Sequence, residues 1–309
     1  MTRVLVTGAS GFIGLPLIAE LVRRGDEVHA LSSRESIPEI PGVHWHRADL
    51  GSDAAADDLI GELAPERLMH LAWYVEHGRF WSAPENVVWV ERSLRLLRAF
   101  ARGGGKRAVM LGTSAEYDWS AAGEPLQELR SPLAPSTMYG VAKDALRRVS
   151  HAYAELEGFE LAWGRLFFLY GPREDPGRLV SSVIRSLLAG EQVEVTSGKQ
   201  QRDFLHVGDV AGALVALLES AVCGPVNIAS GQATSVAEIV DRIGQLIGRP
   251  ELILRGGLPD RREEPPLLVA DVTRLRDEVG YCPRLELADG LADTVRWWKH
   301  AGEAAAERR

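Results

Sequence analysis

The stretch "VLVTGASGFIG" constrains the fold more than any other part of the chain. An apolar, β-branched run ends in Gly8, Gly11 and Gly14 at GxxGxxG spacing, and an apolar-periodic segment, "FIGLPLIAELVRRG", follows at once. Glycines permit a tight turn and let a pyrophosphate approach the backbone. The helix start behind them offers free N–H groups and the positive end of a dipole. The spacing alone matches many turns, but strand, glycine turn and helix in one βαβ context point to a dinucleotide site. Phe12 and Ile13 then lie in the turn beside the phosphates.

The alternation continues. "EVHALS", "VHWHRADL", "ERLMHLAW" and "KRAVMLGTS" read as strands, and "PENVVWVERSLRLLRAFARGGG" and "TMYGVAKDALRRVSHAYAELEG" as long helices. "FELAWGRLFFLYGP" contains a further strand. This rhythm predicts an α/β protein with a Rossmann-type, doubly wound parallel sheet. After about residue 170 the loops lengthen, with helical patterns at 178–190, 208–221, 235–248 and 286–300. Residues 1–170 are expected to form the dinucleotide-binding domain, with segments near 202–229 such as "GPVNIA" returning to its sheet. Residues 171–309 are expected to be mainly a smaller, partly interleaved α/β substrate domain.

Composition excludes several classes of function. The net charge is −8 with no basic block, which gives a nucleic-acid role no electrostatic support. Cys223 and Cys282 stand far apart, so a disulfide framework or zinc site is not expected and a reducing compartment fits. His70, His77 and His206 show no metal spacing. No apolar run is long enough to span a bilayer, and the start lacks a signal-peptide pattern, so a cytoplasmic protein is expected.

Two further places carry chemistry. An acid at the end of the second strand binds the adenosine ribose of NAD. Here Ser32, Ser33 and Arg34 stand instead. A hydroxyl and a guanidinium suit a 2′-phosphate, so NADP(H) is favoured over NAD(H). Asp49 and Leu50, at the end of the third strand, are placed along the adenine. In "YGVAK", Tyr139 and Lys143 stand at i and i+4 and share a helix face. The ammonium is expected to lower the phenol from its usual pKa of about 10. "LGTSAEYD" puts Thr113 and Ser114 at the carboxyl edge of the fifth strand, where open α/β sheets bind ligands. A hydroxyl there can hold a carbonyl or alcohol oxygen while Tyr139 gives or takes its proton.

Taken in order, "TGASGFIG", "HLAW", "TSAEYD", "YGVAK", "RLFFLYGPR" and "RDFLHVGDVA" resemble the motifs of the extended short-chain dehydrogenase/reductases. The likeness covers nearly the whole chain. It is to the NAD(P)-dependent epimerase/dehydratase branch, which acts on nucleotide sugars. It implies a Ser/Thr–Tyr–Lys triad beside the nicotinamide, with Tyr139 and Lys143 matching directly. Ser114 aligns as the hydroxyl, with Thr113 as the alternative. The resemblance also implies that Leu71 and Ala72 line the cofactor and that Thr113 and Glu116 face the substrate. It sets Arg202 and Arg261 against a nucleotide diphosphate, unless each pairs with a neighbouring acid such as Asp203 or Glu264. Asp203 and Asp209 are expected to fix loops and cap a helix. Trp73 and Tyr74 form either an aromatic wall of the sugar site or packing for a loop. Phe168 departs from the family pattern, which commonly has an asparagine there against the substrate phosphates.

Sugar 4,6-dehydratases of the family usually carry an Asp-Glu pair after the catalytic Thr. Ala115 and Glu116 follow Ser114 here, which disfavours dehydration. The expected activity is NADP(H)-dependent reduction of a keto-sugar nucleotide, a 4-keto-6-deoxy sugar above others. The alternatives are an epimerase that retains NAD(P) and a non-catalytic dinucleotide-sensing protein. The resemblance further implies a homodimer, formed by the helix at 86–102 and the helix of Tyr139 paired across a two-fold axis.

Overall fold

Strict alternation of strand and helix builds the first half of the molecule. The elements are β1 (Arg3–Thr7), α1 (Gly14–Arg24), β2 (Glu27–Ser32), β3 (Val43–Arg47), α2 (Ala55–Leu63), β4 (Arg67–His70), α3 (Glu85–Arg102), β5 (Arg107–Thr113), α4 (Met138–Glu157) and β6 (Glu160–Leu166). The structure is a computed structural model that describes residues 2–35, 37–51, 55–121, 123–260 and 264–306. The later elements are shorter: β7 (Phe168–Tyr170), α5 (Leu179–Ala189), β8 (Val193–Val195), β9 (Gln201–Arg202), β10 (Phe204–His206), α6 (Val207–Glu219) and β11 (Gly224–Ile228). They end with β12 (Thr234–Ser235), α7 (Val236–Ile247), β13 (Ile253–Arg255), β14 (Leu267–Leu268) and α8 (Leu287–Ala306).

Seven strands form one sheet in the order β11-β6-β5-β4-β1-β2-β3, and every pair in it is parallel. Side chains alternate across it. Val4 and Val6 face α1 and α6, where Leu17, Leu21, Val210 and Leu214 cover them. Leu5 and Leu68 face the other way, under Ile60 of α2, Leu96 of α3 and Leu146 of α4. With both faces buried, the strands read as continuous apolar runs. The "GPVNIA" segment returns as expected, as β11 beside β6. A separate core holds the C-terminal part together, with Ile184 of α5, Ile239 of α7 and Leu291 of α8 at its centre.

Local chemistry sets the element ends that matter for the site. α1 stops at Gly25, whose φ of 86° is the left-handed conformation that ends helices, and its N–H reaches back to the Leu21 and Val22 carbonyls. Thr137 starts α4 by accepting the Gly140 N–H on its side chain. Two differences from the sequence reading stand out. "AADDLIGEL" forms α2, a short helix not anticipated. "RLFFLYGP" makes two strands, because the chain leaves the main sheet at Phe167 and β7 pairs with β10 instead. Among the described residues no helix is long and apolar enough to cross a membrane.

Candidate active site

The sheet order reverses at β1, which lies between β2 and β4. A crevice opens above the strand ends at such a point. A continuous cavity of about 1500 Å³ occupies it and runs from the glycine turn past Tyr139 to Arg202. That exceeds the several hundred to about 1,000 Å³ that suffice for a single drug-sized ligand.

The glycine turn floors one end. Gly8 has a φ of +67°, and a Cβ there would come within 2.8 Å of the Ala72 nitrogen. The turn can therefore press against the end of β4 only without a side chain. Gly11, Phe12, Ile13, Asp49, Leu50, Leu71 and Ala72 line the same end. Ser10 and Ser32 share a hydrogen bond of 2.8 Å between hydroxyls. The Arg34 main-chain N–H donates to the Ser32 hydroxyl at 3.1 Å, and its guanidinium donates to the Ser10 carbonyl at 3.2 Å. Ser33 and Arg34 are exposed on the cavity wall. This bare glycine cradle with a hydroxyl and guanidinium rim fits a dinucleotide.

Lys143 is buried, and its ammonium donates to the Leu111 carbonyl at 2.9 Å. The same nitrogen lies 3.7 Å from the centre of the Trp73 ring, a cation–π contact. Burial pushes Lys143 down to about 7, against the opposing pull of Glu116. Trp73 is held in place by its indole N–H, which donates to Asn86 at 2.9 Å. Its ring packs on the lysine and also lines the cavity. Tyr74 bonds Glu76 at 2.7 Å and lies outside the cavity.

Tyr139 differs from expectation in two ways. Burial pushes its phenol up to about 12, and the lowering by Lys143 is absent. The ammonium sits 6.0 Å from the phenol ring centre and is engaged by Leu111 and Trp73. Thr113, the alternative hydroxyl, is the one whose polarity opposes that upward push on the phenol, and both Thr113 and Ser114 line the cavity. Successive residues at a strand end point to opposite sides, and Ser114 already begins a short turn over Ser114–Glu116. Ser114 still lines the cavity. A Cβ on Gly140 would collide with the Ala115 carbonyl oxygen, so α4 sits directly on this turn.

Glu116 is the clearest correction. The resemblance sets it on the substrate side, yet it is fully buried. One oxygen accepts from the Thr113 N–H and the Trp163 indole N–H, each at 2.9 Å. The other takes the Arg165 Nε–H at 2.7 Å. Arg165 is equally buried and donates to the Tyr117 hydroxyl and the Glu128 carbonyl. Glu116 thus ties the end of β5 to β6.

At the far end, Arg202 lines the cavity and pairs with Glu264 at 2.7 Å, the local pairing noted above as the alternative. Its guanidinium also donates to the Pro265 carbonyl and lies 5.5 Å from the Phe168 ring centre. Arg261 lies outside the described residues. Asp203 accepts from Ser230, Gly231 and Ala270, and Asp209 from Tyr281, Arg284 and Leu285, so both fix loops. His70 bonds Thr7 and Ser93 inside the core, and burial pushes it down to about 3, so it stays neutral. Among the described residues no cluster could hold a metal ion.

Several cavity residues escaped the sequence reading. Arg178 lies over Phe80, 5.9 Å from its ring centre, and its charge favours the Tyr139 phenolate. Glu174 is buried beside Ser181, and burial pushes its carboxyl up to about 7. Phe80, Trp81 and Trp119 surround the phenol side of the cavity. The Tyr139 main-chain N–H, in the first turn of α4, donates to the Trp81 carbonyl at 3.1 Å. The charged turn "YGPREDPGR" and the aromatics of "GRFW" were visible as residues, but nothing local told which way they faced.

A parallel doubly wound sheet and a glycine cradle at its switch point, with Thr113, Tyr139 and Lys143 lining the same crevice, mark a Rossmann-type enzyme fold. A model of the NAD-dependent epimerase/dehydratase family matches residues 4–229, and the chain belongs to that family. Over 319 residues it is 30% identical to a dTDP-4-dehydro-6-deoxy-D-allose reductase of Streptomyces bikiniensis, covering 96% of each chain. It is 32% identical to MoeE5, solved with UDP-glucuronic acid and NAD, with a TM-score of 0.84 and coverage of 97% and 99%. The UDP-glucose 4-epimerase of Thermus thermophilus, solved with NAD, is 26% identical with a TM-score of 0.83, covering 97% of this chain and all of that one.

Proposed function

We propose that this enzyme uses NADPH to reduce a keto-sugar nucleotide, specifically a 4-keto-6-deoxy sugar. The observation that carries the reading is the end of β2. Ser10, Ser32 and Arg34 gather where an acid would bind a bare ribose. That rim suits a 2′-phosphate and an exchangeable cofactor. The similarity to the Streptomyces reductase supports the substrate class.

Bound NADPH supplies a hydride, and the chain's own residues do the rest. Tyr139, at about 12, keeps its proton across the neutral range and gives it to the carbonyl oxygen as that oxygen becomes an alkoxide. An alkoxide is a stronger base than a phenolate, so the transfer runs downhill. The phenolate then regains a proton from solvent. Thr113 orients the phenol, and Ser114 holds the carbonyl beside it. Lys143, fixed by Leu111 and Trp73, would hold the nicotinamide ribose with an N–H left free by those contacts. Arg178, and Arg202 once freed from Glu264, supply guanidinium forks for the diphosphate. Arg261 is assigned to the same group.

An epimerase on the same substrate class is the second reading, supported by the similarity to the Thermus thermophilus UDP-glucose 4-epimerase solved with NAD. Incubation with NADPH and a panel of keto-sugar nucleotides separates the readings. A reductase consumes NADPH in step with sugar, an epimerase alters sugar without net consumption, and a sensor does neither.

Arg34→Ala should weaken NADPH binding by about 1–3 kcal/mol, the loss of a charge-assisted hydrogen bond, and leave NADH binding nearly unchanged. Equal losses for both cofactors would overturn the NADP assignment. A homodimer is also proposed. Val87 and Val88 on α3 and Val141, Val149 and Leu156 on α4 are exposed apolar residues on the two helices assigned to the interface. Sedimentation at micromolar concentration should give twice the chain's mass, and a strictly monomeric mass would count against it.

A further inference from the structure

The loop between β4 and α3 carries "GRFW" against the catalytic tyrosine. Phe80 stands edge-on to Tyr139 with ring centres 5.0 Å apart, and Trp81 does the same at 5.8 Å. Behind Trp81 lies Trp119, edge-on at 6.0 Å, whose indole N–H donates to the Ser114 carbonyl at 2.8 Å. Burial accounts for Phe80, and the hydrogen bond at the catalytic turn accounts for Trp119. Neither accounts for Trp81. It remains 39% exposed on the cavity wall beside the phenol, and α4 is held by its main-chain oxygen rather than by its ring. A large apolar ring left open on a concave wall is a binding surface.

We infer that Trp81, backed by Trp119, is a stacking platform for the sugar of the substrate. A pyranose turns C–H groups toward its faces and most hydroxyls outward. Those hydrogens carry partial positive charge and meet the negative face of the indole. A sugar lacking a hydroxyl offers more such surface, so the platform favours a deoxy sugar over its hydroxylated counterpart. The inference rests on the reading that the second ligand is a nucleotide sugar, and it adds the residue that selects among sugars.

Equilibrium binding to the full-length, NADP-loaded protein tests it, with dTDP, dTDP-glucose and dTDP-4-keto-6-deoxyglucose as probes. The unmodified protein should bind the deoxy sugar nucleotide more tightly than dTDP-glucose. Trp81→Ala should weaken the deoxy sugar nucleotide about tenfold, narrow that ratio and leave dTDP unchanged. Trp81→Phe should keep most of the affinity, and Trp119→Phe should give a milder loss in the same direction. Unchanged sugar-nucleotide affinity in Trp81→Ala, or equal losses for dTDP and its sugars, would overturn the platform. An unmodified protein that binds none of these probes, nor their UDP counterparts, would overturn both the platform and the substrate class. Binding with the expected ratio but without NADPH consumption would leave the platform standing and remove the reductase reading.

Discussion

Tyr139→Phe is expected to slow turnover of a keto-sugar nucleotide by about a hundredfold or more while leaving NADPH affinity nearly unchanged. The substitution keeps the ring and its edge-on contacts with Phe80 and Trp81, and removes only the hydroxyl. It therefore isolates proton delivery from packing. The pH dependence adds a second check. Tyr139, held up near 12, does not titrate in the working range. Lys143, held down near 7, loses its charge as pH rises through that value. On this reading kcat/KM should fall as pH rises through that value, because of the lysine, and the fall should persist in the slow phenylalanine variant. Single-turnover rates with NADPH measure both effects. A Tyr139→Phe protein working at close to the normal rate would remove Tyr139 from the mechanism.

Glu116→Ala should destabilise the fold by about 3–5 kcal/mol, because it leaves the Arg165 guanidinium buried without its anion. The thermal midpoint should fall on the order of ten degrees. Glu116→Gln keeps an acceptor for the Thr113 and Trp163 N–H groups and should lose less. Pairing Glu116→Ala with Arg165→Met removes the stranded charge and should recover part of the loss. Chemical denaturation of the unmodified protein, Glu116→Ala, Arg165→Met and the double variant measures the coupling. A Glu116→Ala protein with unchanged stability and abolished turnover would return this residue to the substrate.

The two expectations met the structure differently, and the reason lies in sequence distance. The glycine turn, the strand–helix rhythm and the Gly25 stop are local signals, each decided within a few residues, and they were legible. The return of "GPVNIA" to the sheet was legible too, with Val226 and Ile228 in a short stretch among loops. Glu116 was not, because its partners Trp163 and Arg165 stand 47 and 49 residues away and arrive only when β6 pairs with β5. The i, i+4 spacing correctly put Tyr139 and Lys143 on one helix, but their ionisation is governed by burial, which spacing does not reveal. α2 was missed although "AADDLIGEL" sets Leu59, Ile60 and Leu63 at helical spacing, because nine residues is too short a run for the period to stand out. Of the two aromatics read from the sequence, Trp73 lines the cavity and Tyr74 does not, while Phe80 and Trp81, several residues later, line it as well.

The hydrogen bond from the Tyr139 main chain to the Trp81 carbonyl joins two tasks that an engineer would wish to keep apart. On the proposed function, the loop that shapes the sugar compartment is also the strut on which the acid–base residue is mounted. Grafting that loop from a relative with another sugar preference re-seats the tyrosine at the same stroke. Changes of specificity in this scaffold are therefore expected to arrive through single ring exchanges on an intact loop main chain, with wholesale loop transplants improving binding at the expense of rate.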